Sequence, residues 1–312
     1  MSPKSFAHVL LSLAVVVCAP QIALALEPKP AVPRPEEFLF PPPHQFLKNI
    51  RPMRIEWTTR PDGGMMGTPS PPESDSPDIN AALEKMKHRR WQEAVGLLDR
   101  AIAANPSDTD GYFNRAIALW NLDATNSPQV LADLDRAIAL APDNYYALYT
   151  RGYLKHSLGD FQGALEDYNR SLALRARDIY VPYSLFARGA AKAAIGDWKG
   201  AVADYSDYAE IGPPAPHKLP QPDAYLWRGY AFKAAGDEKR AKQDFETVIN
   251  IISSRSEPYT NGYVLRGQAR AGLGDTQGAL ADLKKAAEQF TAFEAGRKKA
   301  VTERIRQLEG GL

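Results

Sequence analysis

Five arginines stand in step with five aspartates. Arg151 precedes Asp167 by sixteen residues, and Arg188/Asp204, Arg228/Asp244 and Arg266/Asp282 repeat that interval, while Arg115/Asp133 is stretched to eighteen. A guanidinium is a planar fork of donors that a carboxylate can accept in two parallel bonds, so a fixed interval between the two types points to ion pairs. The alternative chemistry is a charged row that grips a ligand. The structural pair is favoured because the first of the recurring segments lacks both members together, with Ala81 and Leu97 in their places.

Residues suited to covalent or metal chemistry are few and scattered. His8, His44, His88, His156 and His217 show no paired ligand spacing, and Cys18 is the only cysteine. Gly63, Gly64 and Gly67 lead into no helix and no lysine, so they make no phosphate cradle. No nucleophile stands in a strand-turn-helix context. Lys298, Lys299 and the arginines near them read as a solvated helix face. With 38 Lys and Arg against 37 Asp and Glu, a formal charge of +1, the chain has no overall nucleic-acid signature. The expectation is a protein with no catalytic residues, no cofactor, no metal and no nucleic-acid partner.

The elements that position the charges repeat. Arg151-Gly152, Arg188-Gly189, Arg228-Gly229 and Arg266-Gly267 are each followed, seven residues after the Gly, by Gly-Asp: Gly159-Asp160, Gly196-Asp197, Gly236-Asp237 and Gly274-Asp275. Arg115-Ala116 is a looser copy. The unit is clearest from Tyr145, where one helix is expected to about Leu158, a Gly-Asp break follows, and a second helix runs from Phe161 to about Leu174. Gly152 and Ala164 are small where the two helices would touch. Leu148, Leu165, Tyr168 and Leu172 form the apolar stripe. Self-similarity of this length predicts a solenoid whose units bury themselves against their neighbours.

The two ends differ from this body. Residues 1–25 read as a secretory signal peptide: Lys4, an apolar run from Val9 to Val17, and Ala23-Leu24-Ala25, with cleavage after Ala25. The run is too short for a comfortable membrane span, a retained anchor being the alternative. Cleavage would remove Cys18 and leave no disulfide. Residues 26–77 hold 13 of the 25 prolines and are expected to be an extended, largely mobile leader. Phe38 to Trp57 is more apolar than a spacer needs, and docking on the helical body or on a partner is the sharper reading of it.

An aromatic residue, a small residue in the first helix, Gly-Asp, Ala, an aromatic, Ala and a closing Pro make a pattern that resembles the tetratricopeptide repeat, in a variant with Arg-Gly in the first helix. Six copies cover about three quarters of the chain. The resemblance implies an all-α fold, a right-handed α-solenoid of about six helix pairs over residues 78–312, closed by a capping helix at 292–308 that is rich in Arg and Lys. Two Pro- or Ser-rich insertions, at 214–220 and 254–259, would bend the stack or bear on a partner, and the superhelix is expected to be irregular near residue 215.

Such stacks usually bind in the concavity lined by first helices. The positions three before, one after and four after each first-helix Gly or Ala share one helical face. The resemblance therefore implies a partner-binding set of Phe113, Ile117 and Trp120, then Tyr149, Tyr153 and His156, then Phe186, then Leu226, Tyr230 and Lys233, with Tyr146 and Tyr183 one turn earlier. The alternative for these rings is packing between helices. Repeats that grip chaperone tails resemble one another in a Lys/Asn/Arg clamp on this face. Phe113 and Ile117 stand where it would need Lys and Asn, and only Asn114 is of a matching type, which disfavours that partner. The expectation is a non-catalytic scaffold, exported to the periplasm, holding a peptide or partner domain. The alternatives are a glycan-binding or enzyme-accessory module, and self-association into a homo-oligomer through the groove or the cap helix.

Overall fold

The computed structural model describes residues 54–59, 65–70, 76–123, 127–174, 181–211, 221–254, 260–291 and 295–310, all within one compact unit, Arg34–Leu312. The expected signal peptide, most of the leader and nearly all of both insertions lie outside the described residues. Two strands lead the body, β1 (Arg54–Thr59) and β2 (Met65–Ser70). They pair antiparallel, with Ile55 opposite Pro69 and Trp57 opposite Gly67. The expectation of an extended leader named no hairpin in this stretch.

Thirteen helices follow among the described residues. They are α1 (Pro77–Lys87), α2 (Trp91–Ala104), α3 (Thr109–Leu122), α4 (Ser127–Leu140), α5 (Tyr145–Ser157), α6 (Phe161–Leu174), α7 (Val181–Ala194), α8 (Trp198–Ile211), α9 (Pro222–Ala234), α10 (Glu238–Ser253), α11 (Thr260–Gly272), α12 (Thr276–Gln289) and α13 (Ala295–Glu309). Each odd-numbered helix packs on the even-numbered one after it, and that one on the next first helix, so the chain forms an all-α solenoid of six pairs with α13 against α12. First helices also touch each other directly, at α1–α3, α5–α7 and α9–α11. They therefore stand side by side on one face of the stack.

The corner inside a pair is built by sequence. Gly159, Gly196, Gly236 and Gly274 all adopt φ between 82° and 85°, the left-handed region that a side chain disfavours. The next residue closes the helix: the Asp160 amide donates to the Lys155 carbonyl at 2.9 Å, and Asp197, Asp237 and Asp275 repeat the bond. The same aspartate opens the second helix, its carboxylate accepting from the Gly163 amide at 2.9 Å. Close approach needs the other glycine. A Cβ on Gly152 would sit 3.0 Å from the Tyr168 ring, which is fully buried. The core runs along the pairs as Ala82, Leu98, Leu134, Leu148, Tyr168, Tyr205, Phe245 and Leu283, all 0–1% exposed. The cap helix turns one side inward through Val301 and leaves Lys298, Lys299, Glu303 and Arg306 toward solvent.

Candidate functional site

The recurring charges are ion pairs, and they are buried. Arg188 Nε donates to Asp204 Oδ2 at 2.9 Å and Nη2 to Oδ1 at 2.7 Å. Arg115–Asp133, Arg151–Asp167, Arg228–Asp244 and Arg266–Asp282 reproduce this fork, each with Nε on Oδ2 and Nη2 on Oδ1. The aspartates sit on second helices at 1–5% exposure, and the arginines are partly covered. The hydrogen bonds it donates to Asp133 raise the pKa of Arg115, as those to Asp167 do for Arg151, against burial that acts the other way.

Two further members are absent from the expected set. One turn after the Arg, Lys155, Lys192 and Arg270 bring a second cation to the same carboxylates at 2.9 Å. The remaining Arg nitrogen, Nη1, crosses to the second helix of the repeat before: Arg115 to Asp99, Arg151 to Asp135, Arg188 to Asn169 and Arg228 to Ser206. Each of these guanidinium groups thus ties its own pair together and ties that pair to its neighbour. The signal is present in the chain as Asp99 and Asp135, sixteen residues before Arg115 and Arg151.

The twelve groove positions divide. Trp120, Tyr153, Tyr183 and Lys233 keep accessible surface, whereas Phe113, Ile117, Tyr146, Tyr149, His156, Phe186, Leu226 and Tyr230 are buried. The expectation that the whole set faces a partner is corrected for these eight, since several meet rings of second helices. Tyr149 lies 5.9 Å from Tyr168, Phe186 lies 5.4 Å from Tyr205, and Tyr230 lies 5.0 Å from Phe245, ring centroid to centroid. His156 stands edge-on to Phe161 at the corner of its own pair. Spacing finds a helical face, but helices of this diameter packed on both sides cover most of it.

At the carboxyl-terminal end the first helices are stitched. The Tyr230 hydroxyl donates to the Gln268 carbonyl and Lys233 Nζ to the Gly272 carbonyl, both at 2.8 Å. Burial pushes the Tyr230 hydroxyl up to about 12, with Arg304 of the cap helix pulling the other way. Lys233 is therefore a structural tie between α9 and α11.

In the middle the arrangement differs. Trp120 on α3 meets Tyr153 on α5 edge to face at 6.4 Å. Tyr183 on α7 packs against the cluster that holds Tyr149. Across the connection from α8 to α9, the Tyr208 hydroxyl donates to Asp223 Oδ2 at 2.9 Å. Asp223 as a whole residue is half-buried, but its Oδ1 is closed to solvent and has no hydrogen-bond partner. Burial raises the Asp223 pKa, partly offset by the Tyr208 hydroxyl and by the backbone amides of Ala224 and Asp223, and burial with the Asp223 charge raises that of Tyr208. Tyr183 is raised by burial and then by Asp223. Neither Tyr208 nor Asp223 is among the expected site residues, because Tyr208 is on a second helix and Asp223 lies in the first turn of α9.

Among the described residues no group of three or more His, Cys, Asp or Glu is placed to hold a metal ion, and no helix is long and apolar enough to cross a membrane.

Family models described as tetratricopeptide repeat match residues 79–126, 122–182 and 223–251, so those segments carry such repeats. Among curated proteins the chain is similar to serine/threonine-protein phosphatase 5 of Homo sapiens, at 27% identity over 34% of this chain and 23% of that protein. It is also similar to Hsp70-Hsp90 organizing protein 1 of Glycine max, at 32% identity over 28% of this chain and 15% of that protein. The chain thus spans less than a quarter of either relative. Among solved structures, a tetratricopeptide repeat protein from Parabacteroides merdae superposes with a TM-score of 0.55 at 21% identity, over 74% of this chain and 83% of that one. That likeness establishes the solenoid fold.

Proposed function

We propose that this chain is a non-catalytic interaction scaffold of the cell envelope, which holds an extended peptide or a surface of a partner domain along its first-helix face. The observation that carries the reading is the partly exposed row Trp120, Tyr153 and Tyr183, contributed by three successive first helices. Large rings held in place by a rigid body give contact area at little cost in conformational entropy, which is why they dominate protein interfaces. Tetratricopeptide repeats in the chain support binding of protein rather than chemistry. Export is supported by the charge, apolar run and small residues of positions 1–25. The tyrosines and Asp223 at the centre differ in kind from a basic clamp for acidic tails.

Photocrosslinking tests the groove. A benzoylphenylalanine placed at 120 or 153 in the source cell is expected to give discrete protein adducts. The same probe at Glu246, exposed on α10, is expected to give none. Equal labelling at all three positions, or adducts of carbohydrate alone, would overturn the peptide-groove reading. Export is checked by sequencing the amino terminus of the mature protein, which is expected at Leu26.

A further inference from the structure

We infer that the edge formed by the corners of the first four repeats is where two copies of this chain meet, side by side and antiparallel. This contact is separate from the first-helix face and does not depend on what that face holds.

First helices stand side by side, so their carboxyl-terminal ends and the turns into the second helices line one edge of the stack. Leu122, Leu158 and Ile195 hold the equivalent place there, six residues after Ala116, Gly152 and Gly189. They are 39%, 55% and 49% exposed. Trp91, Phe161 and Trp198 open second helices at corners of the same edge and keep accessible surface. The fold does not require these residues. The fifth and sixth repeats make the same Gly-Asp turn with Ala235 and Glu238, and with Leu273 and Thr276. An exposed apolar strip that the scaffold can do without marks an association surface. Leu174 and Ile211, also exposed, end second helices at the opposite edge, beside segments outside the described residues.

Charge selects the occupant. The first corner is basic: Lys85, Lys87, Arg89 and Arg90 stand against Glu84 and Glu93, an excess of two cations. Lys87 pairs with Glu84, while Lys85 and Arg90 share Glu93. Arg89 is exposed at the tip, at φ 58°, where later corners have glycine. The next three corners carry Asp123, Asp160 and Asp197, all exposed, against Lys199. The other nearby lysines, Lys155 and Lys192, hold Asp167 and Asp204. One end of the strip is thus positive and the rest negative. An antiparallel copy sets the basic corner of each chain against acidic corners of the other, with the apolar side chains between them. Such a two-fold contact is self-complementary and uses the same residues twice. A parallel copy would bring like charges together.

Sedimentation velocity on the chain in its exported form is the test. Wild type is expected to pass from monomer to dimer between about 1 and 100 µM, and to associate less in about 0.5 M salt. Leu158→Asp, at an exposed position, should keep the wild-type melt and raise the dimer Kd by about tenfold or more. Asp160→Asn combined with Asp197→Asn keeps both helix caps, because an amide oxygen accepts the same bonds. That variant should weaken the dimer and flatten its salt response. Leu174→Asp, on the opposite edge, should leave association unchanged. A monomer throughout, assemblies larger than a dimer, or a dimer that Leu158→Asp leaves intact would overturn the inference. A dimer whose salt response survives the loss of both carboxylates would overturn the antiparallel pairing. Photoadducts at 120 and 153 report on the first-helix face separately, so either reading can fail without the other.

Discussion

The first and third repeats are the same fold executed with different residues. In the third, Gly159 turns the corner at φ 85°, Asp160 caps α6, Arg151 forks onto Asp167, and Gly152 lets Tyr168 lie against α5. In the first, Arg89 holds the same corner at φ 58°, and Arg90 precedes α2 with no side-chain cap. Ala81 and Leu97 stand where the ion pair would be. The backbone closes regardless: the Arg90 amide reaches the Lys85 carbonyl at 2.9 Å, as Asp160 reaches Lys155. What the two share is Ala82 with Leu98 against Gly152 with Tyr168, a small residue facing a large apolar one, all buried. Apolar fit therefore pairs the helices of the first repeat without a buried ion pair, the links Lys85–Glu93 and Asp78–Arg100 between α1 and α2 being solvent-exposed or nearly so. The charges and glycines add stability and join one pair to the next.

If this is right, the largest effect comes from stranding a buried charge. Asp167→Ala removes the covered carboxylate that Arg151 and Lys155 share, leaving Arg151 only its outer bond to Asp135, and should cost about 3–5 kcal/mol in urea denaturation. The equivalent substitution in the first repeat, Leu97→Ala, strands nothing and should cost less. An Asp167→Ala midpoint equal to wild type would mean that water satisfies the arginine, and the contrast between repeats would lose its physical basis.

Next comes the close approach. A Cβ on Gly152 meets the buried Tyr168 ring at 3.0 Å, and Val adds two more methyl groups. Gly152→Val should destabilise by about 1–3 kcal/mol, the range for forced overpacking. Gly96 has open space around it, so Gly96→Ala on α2 should be neutral or slightly stabilising by helix propensity. Thermal melts of the two variants should separate, with the Gly152→Val melt well below wild type and the Gly96→Ala melt at or above it.

Much of this architecture is legible in the amino-acid sequence. The Gly-Asp corners, the helix pairs and the five Arg–Asp pairs follow from intervals that recur, and recurrence at fixed spacing is a physical constraint that one sequence can carry by itself. Other features depend on contacts between elements whose separation varies. Nη1 of Arg188 and Arg228 reaches back nineteen and twenty-two residues instead of sixteen, so that part of the ladder leaves no fixed interval to see. Tyr208 and Asp223 meet across the connection between α8 and α9. The β1–β2 hairpin does leave a signal, in Ile55 and Trp57 alternating ahead of Pro61-Asp62-Gly63. The density of prolines around it points instead to an extended leader. On the first-helix face, periodicity locates the rings but cannot weigh how much a neighbouring helix covers each of them.

The smallest effects test whether the corner and the rim only tune stability. A non-glycine residue in the left-handed region costs about 1–2 kcal/mol, so Arg89→Gly should recover up to about 1 kcal/mol after the entropic loss from adding a glycine. The reverse change, Gly159→Arg, should cost a similar amount in the third repeat. The outer arm of the ladder is weaker still. Asp99 is more than half exposed where it meets Arg115, and a pair in that setting contributes about 0–1 kcal/mol, less in high salt. Asp99→Ala should therefore shift the melt slightly at low ionic strength and not at all in about 1 M salt, where screening is nearly complete. Asp167→Ala, whose carboxylate is covered, should keep its full penalty in both. A salt response shared by the two would place the inner fork in water as well. The first and third repeats would then differ in sequence without differing in what holds them.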